Sequence, residues 1–187
     1  MAGGRPAARL NVRAPECVRA EELRGRVRRT TRGVRRLGPA ERRDQGAHVG
    51  LAGGRDLAIG SVVVGSEAVY RDLSAEWPVV DRVTPDAGLV ERVRAALPDA
   101  AATPIHTSAA VGASSDTVSS GPLVEAMEGF GVLRAAKRAG VPAVEVRVVS
   151  NEIGEEDRSR WQLGLALDTL EDALPKIVRA LVDAVGR

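Results

Sequence analysis

Glu128, Ser150 and Asn151 have side chains whose chemistry and predicted placement suit ligand binding. Ser150 and Asn151 directly follow the apolar run 144–149, and Glu128 lies near the start of a helix predicted over 125–139. A carboxylate can accept hydrogen bonds from two hydroxyl groups, and an amide both donates and accepts. The three side chains could therefore bind a sugar and a heteroaromatic base if the fold brings them to one cleft.

Each of these residues also has a purely structural interpretation. A glutamate at the start of a helix commonly acts as a capping residue, because the helix dipole favours negative charge there. A Ser-Asn pair after a strand is commonly an ordinary turn. Residue types alone leave both alternatives open, so the elements that position these side chains must be considered.

Predicted strands and helices alternate from Gly50 to the end of the sequence. The predicted strands are residues 57–64, 67–70, 104–108 and 144–149. The predicted helices have apolar residues at helical spacing and begin at Thr84-Pro85, at Glu125 and at Leu163. This order predicts an α/β fold with a largely parallel or mixed sheet, which binds ligands at the carboxyl ends of its strands.

Glycine and proline predict where these elements bend or end. The stretch "GLAGG", residues 50–54, predicts a flexible turn, and Gly65 interrupts a stretch that predicts either one strand or two. Asp168 and Glu171 have the spacing of a capping box for a helix that begins there, and Pro175 predicts a kink or a further restart.

Composition excludes several classes of protein. The 187 residues include one cysteine and two histidines, so neither a disulfide framework nor a zinc site of Cys and His ligands is expected. No run of about 18 apolar residues indicates a membrane span, and no secretory signal is recognisable. We expect a cytoplasmic protein that needs no metal, no organic cofactor and no membrane partner.

The N-terminal residues differ in charge from the remainder. Residues 1–43 carry a formal charge of +9, whereas residues 44–187 carry −7. We interpret residues 1–46 as a basic segment that is disordered or unrelated to the domain over 47–187. An arginine-rich arm could also bind nucleic acid through phosphates, but the aromatic fraction of 2% offers few stacking platforms, so nucleic acid is not the expected partner.

A longer motif resembles a known family. "GLAGG" is followed by "DLAIGSVVV", and then by "EAMEGFGVLRAAKRAGVPAVEVRVVSNEIGEEDR" with Trp161 shortly after. This combination resembles the nucleoside phosphorylase and nucleosidase superfamily over residues 47–187, and within it the futalosine hydrolases. The resemblance implies a three-layer fold in which helices flank a mixed sheet.

The resemblance implies a role for each matching residue. Glu128 matches the acid that binds the ribose hydroxyls, and Asn151 matches the residue that stabilises the departing base, so these two are the candidate catalytic residues. The candidate substrate-binding residues are Met127 against the sugar, Ser150 at the base, and Ala52 and Gly53 in the glycine segment that lines the cleft. Phe130 could contribute to the base pocket, although packing in the core is an equal alternative.

Residue 151 discriminates between substrates. Related nucleosidases that act on 6-aminopurines have Asp at this position, whereas the amide of Asn151 can donate to the O6 or N7 of a 6-oxopurine. The resemblance therefore implies hydrolysis of the N-glycosidic bond of a purine nucleoside, with futalosine giving hypoxanthine and dehypoxanthine futalosine in menaquinone biosynthesis. It also implies a homo-oligomer.

One part of the family pattern has no counterpart in this sequence. Family members have a strand, a helix and a strand before the glycine segment, and an acid from that region activates water. Residues 1–46 show no matching apolar strand or acid, so an N-terminally truncated fold is expected. The alternatives are phosphorolysis, an inactive truncated family member, or a protein that binds nucleic acid through its basic segment.

Overall fold

The computed structural model describes residues 45–72, 79–109 and 123–182. The predicted basic segment 1–46 lies outside the described residues except for its last two. The strands are β1 (Gly46–Arg55), β2 (Val62–Tyr70), β3 (Arg82–Val83), β4 (Ala101–Thr107), β5 (Leu123–Ala126) and β6 (Ala143–Glu152). The helices are α1 (Ala87–Ala96), α2 (Gly129–Arg138) and α3 (Leu163–Val182), with a 3₁₀ turn at Arg158–Arg160.

The six strands form one mixed sheet in the order β3-β2-β4-β5-β1-β6. β6 lies parallel to β1 and also pairs antiparallel with β2, where Val62, Val63 and Val64 face Val148, Arg147 and Val146. This second pairing closes five of the strands into a ring. The prediction of a mixed α/β fold in which helices flank a sheet is confirmed, and the closure is an additional finding.

Helices α1 and α3 cover the outside of this ring. Leu89 and Val93 of α1 pack with Ile177 of α3 against Val144 and Val146 of β6. A separate apolar cluster comprises Ala52, Val63, Ile105, Val124, Ala126 and Val149, each from a strand. β6 therefore contributes to two cores, which explains why residues 144–151 are all buried.

The predicted flexible turn at residues 50–54 is wrong, because these residues lie inside β1. β1 pairs with β5 on one side and β6 on the other, so its backbone groups are used by the sheet. Of the one or two strands predicted around Gly65, the structure has one. β2 is continuous there, and only its register with β4 shifts between Gly65 and Ala68.

The predicted helix 125–139 begins too early. Leu123–Ala126 is a strand that pairs with both β1 and β4, and α2 starts only at Gly129. Sheet pairing therefore overrides the helical pattern at its first residues. The end is as predicted, since Gly140 follows the helix with a φ of 67° that glycine tolerates.

Two further helix boundaries differ from the prediction. Asp86, not Thr84, is the N-cap of α1, because its side chain accepts a hydrogen bond from the Leu89 amide at 2.8 Å. α3 runs without a restart through Asp168 and Pro175. Pro175 is exposed, while the buried face of α3 packs on the sheet and holds the helix together.

No helix within the three described ranges is both long enough and apolar enough to cross a bilayer.

Candidate functional site

Ser150 and Asn151 lie at an irregularity near the end of β6. Ala52 pairs with Val149, but the next residue, Gly53, pairs with Asn151, so Ser150 is the extra residue of a bulge. The Ser150 hydroxyl donates to the Asn151 Oδ1 at 2.8 Å and reaches the Ala52 carbonyl at 3.3 Å. The predicted strand end is thus a bulge that holds an amide in place.

The orientation of the Asn151 amide follows from its two neighbours. Its Nδ2 donates to the Glu152 carbonyl oxygen at 3.0 Å, while its Oδ1 accepts from Ser150. The flipped amide would place two acceptor oxygens against each other at Glu152, so this arrangement is the favourable one. An amide nitrogen carries two hydrogens, and one of them is used by Glu152.

Gly53 allows the backbone of β1 to approach Asn151. A Cβ at Gly53 would lie 3.2 Å from both the Asn151 Nδ2 and the Ile153 Cγ1. Gly53 also pairs with Glu125 of β5, whose buried carboxylate accepts a hydrogen bond from Ser108. Gly53, which has no side chain, therefore lies between Asn151 of β6 and Glu125 of β5.

Glu128 occupies the N-cap position of α2 but does not cap it. Its side chain makes no capping hydrogen bond, and 45% of that side chain is exposed. Its Oε2 instead lies 3.3 Å from Nη2 of the nearly buried Arg147. The simple capping interpretation is therefore wrong, and the carboxylate is held by a buried cation while remaining accessible.

Met127 and Phe130 flank Glu128 in different environments. Met127 is 50% exposed, so it can contact a ligand. Phe130 stacks on Tyr70 with ring centroids 5.4 Å apart and packs against the cluster of Ala68, Val83 and Leu133. Packing in the core is thus observed for Phe130, and its contact with a base stays a prediction.

A charged cluster beneath Glu128 was not predicted from the sequence. Arg147 Nε lies 2.8 Å from Glu145 Oε1, and both residues are buried. Arg147 also contacts His48 Nε2 and, at 3.4 Å, the Leu51 carbonyl oxygen. Charged residues at alternate positions within an otherwise apolar strand were the sequence signal that could have revealed this cluster.

Burial shifts the pKa values of two residues in this cluster, His48 and Glu145. Burial, with a further contribution from the Arg147 charge, lowers the pKa of His48 to about 4. The imidazole is therefore neutral near pH 7 and can accept a hydrogen bond from Arg147. Burial also raises the pKa of Glu145, against the opposing effect of the Arg147 charge.

The two predicted halves of the site are attached to successive residues of β1. The Leu51 carbonyl contacts Arg147, which holds Glu128, and the Ala52 carbonyl contacts Ser150, which holds Asn151. The structure thus connects Ala52, Ser150 and Asn151 directly, and connects Glu128 to the same strand through Arg147. That Glu128 and Asn151 face one cavity stays a prediction, as do their catalytic roles.

A family model described as the phosphorylase superfamily matches residues 47–185. The chain belongs to this superfamily. The resemblance noted in the sequence is therefore confirmed at the level of the superfamily.

Two curated proteins are similar to this chain in sequence. A futalosine hydrolase of Streptomyces coelicolor is 37% identical over 150 residues, which are 71% of this chain and 64% of that protein. A futalosine hydrolase of Acidothermus cellulolyticus is 55% identical over 53 residues, which are 28% of this chain and 22% of that protein. The chain therefore matches less than two thirds of the length of either relative.

Solved structures share the fold of this chain. Futalosine hydrolase of Helicobacter pylori has a TM-score of 0.64 at 18% identity and covers 73% of this chain, with 68% of its own length matched. A methylthioadenosine/S-adenosylhomocysteine nucleosidase of Colwellia psychrerythraea, in complex with adenine, has a TM-score of 0.63 at 22% identity. It covers 74% of this chain, with 67% of its own length matched.

Proposed function

We propose that this chain acts as an N-glycosyl hydrolase on a 6-oxopurine nucleoside, with futalosine as the substrate and hypoxanthine as the released base. The names of the two curated relatives support this substrate. The observation that carries the proposal is the fixed amide of Asn151. Its oxygen accepts from the Ser150 hydroxyl, and its nitrogen keeps one hydrogen beyond the one that the Glu152 carbonyl accepts, so the amide can donate to a ligand.

A donor amide fits the purine O6 or N7 of hypoxanthine. Cleavage of a glycosidic bond proceeds through an oxocarbenium-like transition state, in which the base gains negative charge and the sugar gains positive charge. A donor from Asn151 stabilises the charge on the departing purine. The arrangement requires no rotation of the amide during the reaction, because the bulge already fixes it.

The ribose is the proposed ligand of Glu128. Its carboxylate is accessible and paired with Arg147, and it can accept hydrogen bonds from two hydroxyl groups. A negative charge beside the sugar also favours the positive charge that develops at the anomeric carbon. Met127, which precedes it and is half exposed, is proposed to pack against the same sugar.

Incubation of the full chain with futalosine, and separately with inosine, tests this proposal. Chromatography should detect free hypoxanthine from futalosine in phosphate-free buffer, which also separates hydrolysis from phosphorolysis. Hypoxanthine release that appears only after phosphate is added would assign phosphorolysis instead. If no base is released from either nucleoside under either condition, the proposed activity is wrong for this chain.

A further inference from the structure

A buried group of charges lies directly under the proposed ribose-binding acid. Glu145 and Arg147 alternate along β6, and their Cα partners on β1 are His48 and Gly50. Glu145 is fully buried and Arg147 is 4% exposed. The cost of removing two charges from water offsets much of their attraction. A gain in folding stability is therefore a weak explanation for the presence of this buried pair.

The hydrogen bonds of Arg147 fix the plane of its guanidinium group. Nε lies 2.8 Å from Glu145 Oε1, and Nη1 lies 3.4 Å from the Leu51 carbonyl oxygen. With these two directions set, Nη2 is aimed at Glu128 Oε2, at 3.3 Å. Because the guanidinium is rigid and planar, a change at its Nε end moves its Nη2 end.

Glu145 is also in contact with the start of α2. A Cβ at Gly129 would lie 2.1 Å from Glu145 Oε2, so any larger residue at the start of this helix would force the Glu145 carboxylate to shift. Within the described residues that Oε2 atom is buried without a hydrogen-bond partner. Glu128 is the residue immediately before Gly129, so the Glu145 carboxylate lies against the backbone that carries Glu128.

We propose that Glu145 is a positioning residue for Glu128, acting through Arg147 and through the close approach of Gly129. This role rests on the proposed function, in which Glu128 binds the ribose. Glu145 itself touches no substrate. It sets the direction of the guanidinium that holds the Glu128 carboxylate. Its contact with Gly129 also sets how closely the start of α2, which carries Glu128, can approach β6.

Two substitutions perturb this arrangement in different ways. Glu145→Gln keeps the shape of the side chain but removes the charge that orients Arg147. Gly129→Ala keeps every charge but drives the new Cβ into the Glu145 carboxylate. Each variant should lower kcat/KM for futalosine by up to about 100-fold, the scale of a misplacement of about 1 Å in a reacting complex.

Matched controls exist for both substitutions. Glu67 pairs with Arg82 at the same 2.8 Å distance, but on the surface, so Glu67→Gln removes a charge from an exposed ion pair instead of a buried one. Gly131 lies in the same helix as Gly129, and a Cβ there would meet no atom within 4 Å. Glu67→Gln and Gly131→Ala should leave kcat/KM within about twofold of the unmodified chain, because surface changes of this kind are nearly neutral.

A double-mutant cycle with Glu128→Gln distinguishes positioning from general damage to the fold. If Glu145 acts through Glu128, Glu145→Gln should cause little further loss of kcat/KM when Glu128 is already replaced. An equal fold-loss in both backgrounds would overturn the proposal. Circular dichroism of each variant verifies that it is folded, and Gly129→Ala provides the test should Glu145→Gln not fold.

A crystal structure of the Glu145→Gln variant tests the geometry without any activity measurement. Glu128 Oε2 should move away from Arg147 Nη2 while β6 and α2 keep their positions. An unchanged contact of about 3.3 Å would overturn the positioning role. If the unmodified chain releases no hypoxanthine, the proposed function fails by that result, whereas the positioning role is still decided by the variant's coordinates.

Discussion

Asn151 is the residue on which the proposed discrimination between substrates depends. Its amide is oriented by Ser150 and by the Glu152 carbonyl, so it presents a donor that suits a 6-oxopurine. Replacing Asn151 by Ala removes one preorganised donor, and kcat should fall by about 10² to 10³. The measurement is the initial rate of hypoxanthine release from futalosine at saturating substrate.

Asn151→Asp serves as the companion variant. A carboxyl group that is protonated can donate to N7 while its other oxygen accepts from a 6-amino group. The ratio of kcat/KM for the 6-amino counterpart of futalosine to that for futalosine should therefore rise. An unchanged ratio, together with an unchanged rate for Asn151→Ala, would remove residue 151 from base recognition.

The two histidines predict how stability depends on pH. Burial lowers the pKa of both His48 and His106 to about 4, and nearby arginines add to the effect. In the unfolded chain the histidine pKa values lie near 6.5. Between about pH 4 and pH 6.5 the unfolded chain therefore binds more protons at these two residues than the folded chain does. The contribution of the histidines to stability should therefore be complete above pH 6.5 and should fall as the pH decreases from 6.5 to 4, whereas the raised pKa of Glu145 acts in the opposite direction.

Urea unfolding at pH 7.5, 6 and 5 measures this dependence. The midpoint should decrease toward pH 5, and replacing both histidines by Gln should make that decrease smaller. A decrease of the same size in the unmodified chain and in the double Gln variant would contradict the buried, neutral state assigned to the two rings.

Single residues were predictable from the sequence only where a simple pattern applied. The end of an apolar run was sufficient to identify Ser150 and Asn151 as candidates. The bulge that orients them was not predictable, because it depends on the register between β6 and β1. The contact of Arg147 with Glu128 likewise joins residues on separate elements, which sequence spacing cannot reveal.

Among the strands, β1 shows how close packing selects glycine. A Cβ at Gly54 would lie 2.7 Å from Val149 Cγ1, whereas a Cβ at Gly46 would meet nothing within 4 Å. Gly54→Ala should therefore lower the free energy of unfolding by about 1–3 kcal/mol, as overpacking of a core does. Gly46→Ala, in the same strand, is the control and should change it by less than about 0.5 kcal/mol.

Urea denaturation of the two alanine variants at pH 7.5 decides between packing and chain flexibility. If the glycines of β1 were needed only for a flexible turn, both variants would shift the midpoint similarly. Selection of glycine by close packing requires a large shift for Gly54→Ala and a small one for Gly46→Ala.

The element boundaries show which signals are local. The helical spacing in α1, α2 and α3 and the β-branched run in β6 were sufficient to predict those elements. The strand character of residues 50–54 and of Leu123–Ala126 was not predictable, because neither stretch is rich in β-branched residues. Residues 50–54, within β1, are fixed by pairing with β5 and β6, and Leu123–Ala126 is fixed by pairing with β1 and β4. As a consequence, Glu128 was placed within a helix instead of at the junction of a strand and a helix.

Across the described molecule, the place of β1 between β5 and β6 explains how distant segments can share a site. β1 pairs with β5, which leads to Glu128, and with β6, which carries Asn151. Residues separated by more than 70 positions in the chain, Leu51 and Glu128 among them, are thereby joined through Arg147. The proposed nucleoside would bridge the two strands that flank β1.

A crystal structure of the chain with a C-nucleoside analogue of inosine, whose carbon–carbon glycosidic bond cannot be hydrolysed, would show whether Glu128 and Asn151 bind one nucleoside together. We expect Asn151 Nδ2 within about 2.7–3.2 Å of the purine O6 or N7, and Glu128 within the same range of the ribose hydroxyls, in one bound molecule. An analogue that contacts only one of these two residues, or that binds elsewhere on the protein, would contradict the shared site.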